Sequence, residues 1–317
     1  MPLGEYAWSG PAALIKGFPF ADNRNELKPM DDILTQLVSL NASLQRLADS
    51  LAPATDPAVF REFEACRVSS RNGALMARQI DLPDPITFEE LRGIDDIIAG
   101  LRGNTEQFLA GLPCNNVLLY GPRGTGKSSA VKALFNEYSG SGLRMIEMQR
   151  DALVHILEVA EILAGRKEKF IIYCDDLSFE EDERSYRQIK TVLEGGLEIR
   201  PSNMLIYATS NRRHLMPEKT AENVPVFDGG ELHPGEAVEE KLSLSDRFGI
   251  RFGFPHFVAE TYLEIIENYA SLKKIRMNRK QLRNEAMQWS LSHGSYSGRT
   301  ARQFIDDLEG RIRIRRR

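Results

Sequence analysis

The segment that most constrains the fold is a glycine-rich stretch at residues 121–128, which reads G-x-x-x-x-G-K-S. An apolar run, Val117–Tyr120, precedes it, and a helix-compatible run at residues 129–135 follows it. This order of strand, glycine loop and helix is the context in which such a stretch binds phosphate. A glycine-rich turn with a chance Lys-Ser pair is the alternative, and the presence of both flanking patterns disfavours it.

The residues of this loop are expected to hold the phosphates of a nucleotide. Glycines let backbone N–H groups surround an anion, and the start of the next helix adds unpaired N–H groups and a positive dipole end. Lys127 can reach the β- and γ-phosphates, and the Ser128 hydroxyl can ligate Mg²⁺. The expected nucleotide-binding residues are Gly121, Pro122, Arg123, Gly124, Thr125, Gly126, Lys127, Ser128 and Ser129.

Apolar runs suited to buried parallel strands recur after the loop, with helical patterns between them. The runs lie at residues 143–147, 170–174, 204–208 and 250–254, and the helical patterns at 152–164 and 183–194. This alternation predicts an α/β fold in which a five-stranded parallel sheet carries helices on both faces. Residues 212–241 are polar and rich in Pro and Gly, which is typical of a long surface loop.

The pattern becomes purely helical after residue 257. Helices are predicted near residues 259–272, 279–291 and 300–309, and together they would form a small helical domain. Residues 88–109 read as a short turn and then a helix, and the apolar residues within 91–95 are candidates to cover an adenine ring. We therefore predict three domains, at residues 1–84, 85–256 and 257–317.

The first domain is predicted to be a loosely packed arm followed by helices. Residues 30–51 carry apolar side chains spaced alternately by three and four, which predicts a helix of about three heptads. We favour packing of this stripe on the protein's own body over a coiled coil with another subunit or partner. Residues 58–78 are also helix-compatible, and a proline-rich break at 82–86 marks the domain boundary.

Two carboxylates follow the apolar run at residues 170–174. At the carboxyl end of a buried strand, Asp175 and Asp176 would face the ligand crevice of an open α/β sheet. Asp175 is the candidate to hold Mg²⁺ through water, and Asp176 the candidate to orient or deprotonate the attacking water. Asn211 ends the next run and can hydrogen-bond both phosphate and water. The alternatives are solvated Asp residues capping a strand and a turn-forming Asn.

Composition limits the other function classes. The 317 residues have a formal net charge of -4, which does not favour nucleic-acid binding by bulk electrostatics. Three separated cysteines, one of them Cys174 in an apolar run, fit neither a zinc site nor a disulfide framework. No apolar run is long enough to span a bilayer and no signal peptide is evident, so we expect a cytoplasmic protein with no membrane partner.

Taken together, the stretches from about residue 88 to residue 308 resemble the AAA+ ATPases. Residues 121–128 look like the Walker A motif and residues 170–176 like Walker B, while Asn211 matches sensor 1. The sequences of these motifs resemble even more closely a bacterial AAA+ family catalogued as a domain of unknown function. The stretches that carry this second resemblance are GPRGTGKSS, CDDLSFE, YATSNRRHL and SLSDRFG.

The resemblance implies a strand order of 5-1-4-3-2, a C-terminal helical lid and a homo-oligomeric ring or filament. Arg247 matches the arginine finger that acts on a neighbour's ATP, and Arg299 matches sensor 2, with Arg302 as its competitor. The family usually ends Walker B with Asp-Glu, whereas this chain has Asp175-Asp176. Asp is shorter by roughly 1.5 Å, so turnover is expected to be slow or to involve Glu180 or Glu181.

The first function hypothesis is therefore an ATPase that uses ATP and Mg²⁺ to remodel a protein or nucleoprotein partner. A slow-turnover, ATP-gated binding module is the first alternative. A DNA-associated replication or transposition helper is the second, motivated by residues 212–214 and the arginine-rich tail at 311–317. A GTPase would need an N-K-x-D stretch, a transporter ATPase an L-S-G-G-Q-like signature, and neither is present. A small-molecule kinase would leave Asn211 and the helical C-terminus unexplained.

Overall fold

The computed structural model divides the chain into two compact units, residues 1–52 and 53–317. It describes residues 63–179, 184–194, 201–212 and 244–315, the strands Val226–Asp228 and Glu231–His233, and the single positions Gln36, Leu40, Phe60 and Leu215. In the first unit only Gln36 and Leu40 are described, and both are helical. The rest of the helix predicted at 30–51 lies outside the described residues. The fold below is that of the second unit.

A seven-stranded sheet forms the centre of the second unit. The described strands are β1 Ala65–Arg71, β2 Ala74–Gln79, β3 Val117–Tyr120, β4 Leu143–Met148, β5 Lys169–Cys174, β6 Met204–Ser210, β7 Val226–Asp228, β8 Glu231–His233 and β9 Ile250–Gly253. The sheet order is β2-β1-β4-β5-β6-β3-β9. The last five of these strands are mutually parallel. Read from β9, they reproduce the expected order 5-1-4-3-2, so the predicted core is confirmed.

The helices also fall where the sequence predicts them. They are α1 Asp95–Leu109, α2 Lys127–Tyr138, α3 Ile156–Leu163, α4 Arg184–Glu194, α5 Ala259–Leu272, α6 Arg279–His293 and α7 Gly298–Arg315. A 3₁₀ turn at Phe88–Glu90 precedes α1, and another at Arg150–His155 precedes α3. Among the described residues, no helix has both the length and the apolar character needed to cross a bilayer.

The helix prediction for residues 58–78 is wrong for residues 65–78, although Phe60 is helical. Strands β1 and β2 form an antiparallel hairpin there, and β1 also pairs in parallel with β4. Asn72 and Gly73 make the two-residue turn, with φ of 52° and 79°. An Asn-Gly pair is favoured in such turns because both residues tolerate positive φ. The sheet therefore has seven strands rather than the five expected. A second short hairpin, β7–β8, lies within the predicted surface loop at 212–241.

Buried side chains form one core on each face of the sheet and a third within the C-terminal helices. Because side chains alternate along a strand, Phe170, Ile172 and Cys174 of β5 enter one core. Ile171 and Tyr173 enter the other, which also contains the buried side of α2. Asp175, the next residue after β5, follows Ile171 and Tyr173 in this alternation and so falls on the α2 side of the sheet.

Candidate nucleotide-binding site

A cavity of about 500 Å³ opens where β3, β5 and β6 end, between the sheet edge and the helices α5 and α7. Its volume lies in the range of small-molecule sites. Residues 123–129 of the glycine loop line it, together with Asp175, Asp176 and Asn211. The apolar part of the lining includes Leu91, Ile94, Ile265 and Tyr269. Residues 91 and 94 belong to the segment predicted to cover an adenine ring.

The glycine loop between β3 and α2 has the conformation that its sequence requires. Gly121, Gly124 and Gly126 all have positive φ, and α2 begins directly afterwards at Lys127. The loop also touches the C-terminal helices. The backbone N–H of Gly298, at the start of α7, donates to the carbonyl oxygen of Gly124 over 2.7 Å. A Cβ added to Gly124 would lie only 2.7 Å from the Cβ of Ser297.

Lys127 is buried inside the loop, with 6% of its surface exposed. Its ammonium group donates to the carbonyl oxygens of Gly121 and Pro122, at 2.8 and 2.6 Å, and to Oδ1 of Asn211 at 3.1 Å. Burial lowers the pKa of this lysine, and the nearby carboxylates of Asp176 and Asp175 oppose that shift. The three acceptors match the three N–H donors of an ammonium group. A phosphate would therefore have to replace some of these protein acceptors.

Ser128 and Asp175 meet across the cavity. The Ser128 hydroxyl donates to Oδ1 of Asp175 over 2.7 Å. Desolvation favours the neutral acid, but hydrogen bonds from Thr209 and Ser128 outweigh it and keep the pKa of Asp175 below its usual value. The carboxylate therefore stays ionised. A hydroxyl and a carboxylate are the hard oxygen ligands that suit Mg²⁺, which keeps several of its waters and uses few protein ligands. Among the described residues there is no cluster of three or more His, Cys, Asp or Glu side chains able to hold a metal.

Asp176 and Asn211 also meet at this edge of the sheet. The side-chain amide of Asn211 donates to Oδ1 of Asp176, while its carbonyl oxygen accepts from Lys127. Asn211 therefore bridges the lysine of the glycine loop and the second carboxylate. Glu180 and Glu181, the other candidates for the water-activating role, lie outside the described residues.

Thr209 is a site residue that the sequence reasoning missed. Its side chain is 1% exposed, lines the cavity and donates to Oδ1 of Asp175 over 2.6 Å. Its hydroxyl oxygen also accepts from the backbone N–H of Asp176 at 2.9 Å. A threonine in an apolar strand is ordinary for a β-branched residue, so the sequence carries no signal for this role beyond its place two residues before Asn211.

The three candidate arginines lie in two different places. Arg299 and Arg302 both line the cavity from α7, and Arg302 also approaches Asp84, with a nitrogen–oxygen distance of 3.8 Å. Arg247 does not line this cavity. Its guanidinium forms an ion pair with Glu194 at the end of α4. The structure thus brings Lys127, Ser128, the two aspartates, Asn211 and the α7 arginines together, and leaves Arg247 outside.

Comparisons with known proteins agree with this architecture. A family model described as "Protein of unknown function (DUF815)" matches residues 61–312. Proteasome-activating nucleotidase 2 of Halobacterium salinarum is 30% identical over 149 residues, covering 42% of this chain and 36% of that protein. Its namesake in Haloferax volcanii is 33% identical over 109 residues, covering 29% of this chain and 26% of that protein. The chain therefore spans about a third or less of these curated relatives.

Two solved structures of Thermotoga maritima RuvB variants share the fold at low sequence identity. One has a TM-score of 0.51 at 16% identity, covering 74% of this chain and 68% of the other. The second has a TM-score of 0.50 at 16% identity, covering 73% and 67%. At this identity the likeness concerns the fold alone. The family match confirms the nearer resemblance predicted from the sequence, to a family of unknown function, and the shared fold agrees with the fold that the AAA+ resemblance implies.

Proposed function

Because this chain belongs to the family described as "Protein of unknown function (DUF815)" and has an AAA+ fold, we propose that it hydrolyses ATP to ADP and phosphate with Mg²⁺. The observation that carries this proposal is the 2.7 Å hydrogen bond between Ser128 and Asp175. It joins the glycine loop to the carboxyl end of β5, in the cavity that also holds Lys127 and Asn211. The groups that we propose to bind phosphate and to orient water therefore line one cavity, as phosphoryl transfer requires.

In this proposal each residue has a defined task. Backbone N–H groups of residues 123–129 and the Lys127 ammonium bind the phosphates. Ser128 and Asp175 would hold Mg²⁺, which supplies charge neutralisation on the transferred phosphoryl group. Asp176 and Asn211 orient the attacking water. Arg299, or its neighbour Arg302, stabilises negative charge from the α7 side. The apolar lining residues, Leu91 and Ile94 among them, would contact the base.

Arg247 requires a second subunit to take part in this chemistry. Within one chain it pairs with Glu194 and does not line the cavity. We therefore propose a homo-oligomer in which Arg247 acts on the ATP of the next subunit. An arginine supplied in trans accelerates GTP hydrolysis by about 10³- to 10⁵-fold. The energy released would remodel a protein or nucleoprotein partner in the cytoplasm.

The test is phosphate release measured over a range of protein concentrations. Arg247→Ala and Asp176→Asn are each expected to bind ATP normally and to release little phosphate. Mixing the two should restore activity, because an intact site of one subunit then meets an intact arginine of the other. Arg251→Ala is the matched control, since Arg251 is also a surface arginine near the start of β9 and pairs with Asp246. A mixture no more active than its components would exclude the shared site.

A second candidate function is an ATP-gated binding module with very slow turnover. The observation that favours it is the contact between Asp176 and the amide of Asn211, because a carboxylate held by this amide is less free to accept a proton from water. Tight ATP binding and ATP-dependent assembly, with negligible phosphate release by the wild type, would select this alternative.

The DNA-associated alternative gains little from the described part of the chain. Many basic residues of the C-terminal helices are neutralised by ion pairs within those helices, including Lys273, Arg279, Arg283, Arg311 and Arg313. Such pairs leave less unbalanced positive charge for a phosphate backbone. Residues 213–214 and 316–317, which motivated this alternative, lie outside the described residues. Retention on DNA at low salt that disappears on deletion of residues 311–317 would revive it.

A further inference from the structure

The backbone of Asp176 has an unusual conformation for its position. Its φ is 51°, in the left-handed region, which residues other than Gly, Asn and Asp seldom adopt. The other described non-glycine residues with positive φ are Asn72, in the β1–β2 turn, and Lys274, just after α5. Asp176 differs from both because it lines the proposed active site.

The left-handed turn explains how two adjacent carboxylates enter one cavity. In a continuing strand, Asp175 and Asp176 would point to opposite faces of the sheet. Asp176 would then follow Cys174 toward the core on the other face. Instead the chain turns at residue 176, and both aspartates line the same cavity. The turn thereby also brings the shorter Asp side chain within reach of the Asn211 amide.

Thr209 forms hydrogen bonds with all three residues at this turn. Its hydroxyl accepts from the backbone N–H of Asp176 at 2.9 Å, and a backbone N–H can only donate. The single hydroxyl proton is therefore available for Oδ1 of Asp175, at 2.6 Å. The carbonyl oxygen of Thr209 accepts from the N–H of Leu177 at 2.7 Å. Since Ala208 pairs with Cys174 in the sheet register, Thr209 lies directly beside the end of β5.

We propose that Thr209 is a positioning residue whose hydroxyl sets the direction of both carboxylates, that of Asp175 directly and that of Asp176 through the turned backbone. The catalytic consequence of this inference rests on the proposed ATPase function. Valine has the shape of threonine but lacks the hydroxyl. In Thr209→Val the Asp176 N–H loses its partner and Asp175 keeps only one of its two hydroxyl donors. Serine retains both hydrogen bonds.

The experiment compares Thr209→Val, Thr209→Ser and Ser210→Ala with the wild type. Ser210 is the matched control because it is a buried hydroxyl residue on the same strand whose described side-chain bond is to the N–H of Arg212. Three quantities are measured: ATP affinity in EDTA by calorimetry, Mn²⁺ affinity of the ATP-bound protein by electron paramagnetic resonance, and kcat for phosphate release. Thermal midpoints confirm that each variant is folded.

Thr209→Val is expected to bind metal-free ATP within about twofold of the wild type, because the glycine loop is untouched. Its Mn²⁺ affinity should fall by about 10-fold or more, as for other groups that orient a metal ligand. Its kcat should fall by about 100-fold, the cost of a small misplacement of a catalytic group. Thr209→Ser and Ser210→Ala should stay within about threefold of the wild type in all three quantities. This limit is smaller than the tenfold change, about 1.4 kcal/mol, expected for Mn²⁺ binding by Thr209→Val.

A folded Thr209→Val with wild-type Mn²⁺ affinity and kcat would overturn the inference, as would a Thr209→Ser variant equally impaired. If the wild type binds ATP but releases no phosphate, the proposed function fails while the Mn²⁺ measurement still decides the role of Thr209. In that case weaker Mn²⁺ binding by Thr209→Val alone supports the inference, and equal binding overturns it.

Discussion

Replacement of Gly124 by alanine is expected to weaken ATP binding for two separable reasons. Gly124 has a φ of 75°, and an added Cβ would lie 2.7 Å from the Cβ of Ser297. A left-handed alanine costs about 1–2 kcal/mol, and an extra methyl group in a packed contact costs about 1–3 kcal/mol. The free loop can relieve this cost by leaving its phosphate-binding conformation, which ATP must then restore, so even the lower sum, about 2 kcal/mol, corresponds to roughly a 30-fold loss of affinity. Calorimetric titration with ATP in EDTA measures this change directly.

A second substitution separates the clash from the backbone strain. Ser297→Gly removes the Cβ that the new methyl group would strike, and leaves the φ of residue 124 unchanged. Its own cost is a few tenths of a kcal/mol, because glycine is a tolerable N-cap in place of the Ser297 hydroxyl that accepts from the N–H of Thr300. The double variant should therefore regain at least about threefold in affinity, which is about 1 kcal/mol of relieved clash less that cost.

The control for backbone strain is Gly142→Ala, at a residue with φ of 91° and no atom within 4 Å of an added Cβ. It should lower the thermal midpoint without changing ATP affinity. Two results would refute the reasoning: a Gly124→Ala variant with wild-type affinity, or a double variant that binds no better than Gly124→Ala. The second would show that contact with Ser297 does not limit the loop.

Three further predictions concern the scaffold. Tyr207→Phe should lower the free energy of unfolding by about 1–3 kcal/mol in urea titration, because the buried Tyr207 hydroxyl bonds Asn104 at 2.8 Å and an unpaired buried group is costly; an unchanged midpoint would contradict this. A hydrogen bond from Arg279 holds the pKa of Glu267 below its usual value. The stability that this ion pair contributes is therefore present above about pH 4 and is lost as the pH falls through the lower pKa of the folded state. The fall in melting temperature on acidification should accordingly be smaller in Glu267→Gln than in the wild type. Burial raises the pKa of the Cys66 thiol to about 12, so alkylation near pH 8 should spare Cys66 until the protein unfolds, and native labelling seen by mass spectrometry would count against it.

Much of the α/β core can be predicted from local sequence because a change from apolar to polar or glycine residues marks the end of each strand. The runs before residues 121, 175 and 211 are apolar and stop at Gly, Asp or a polar pair. Parallel strands place such ends on one edge of the sheet, so the meeting of Ser128 with Asp175 could be predicted without coordinates. The buried Cys174 is likewise a core residue, as its apolar neighbours indicate.

The hairpin β1–β2 was not predicted because a weak helical composition and a weak turn signal conflict there. Residues 65–79 have many residues tolerated in helices, and the alternation of burial is incomplete, with Ala65 and Cys66 both buried. The Asn72-Gly73 turn was the available signal. Pairing of β1 with β4 joins residues about eighty positions apart in sequence, and no local pattern reports such a contact. Pairing with a distant strand, rather than local propensity, therefore makes residues 65–71 a strand.

Thr209 shows the other limit of sequence reasoning. Its residue type fits a strand, and its role depends on hydrogen bonds to β5 across the sheet. Arg247 is different again, because its proposed target belongs to another subunit. In one chain its partner is Glu194, so assembly would have to break this ion pair before the arginine could reach ATP. Glu194→Gln should then raise phosphate release most strongly at low protein concentration, whereas a stabilising role alone would lower it.

The contacts of Lys127 suggest how nucleotide occupancy would reach the rest of the site. Its three donors are shared among Gly121, Pro122 and Asn211. Under the proposed function, a triphosphate competes for this ammonium, so the carbonyl oxygen of Asn211 loses its hydrogen bond from Lys127. The amide nitrogen of Asn211 still donates to Asp176. The freed carbonyl oxygen of Asn211 can then accept a hydrogen bond from water beside the carboxylate. Phosphate binding and water orientation would thus be coupled through one amide, which is why Asn211→Ala should reduce kcat more than ATP affinity.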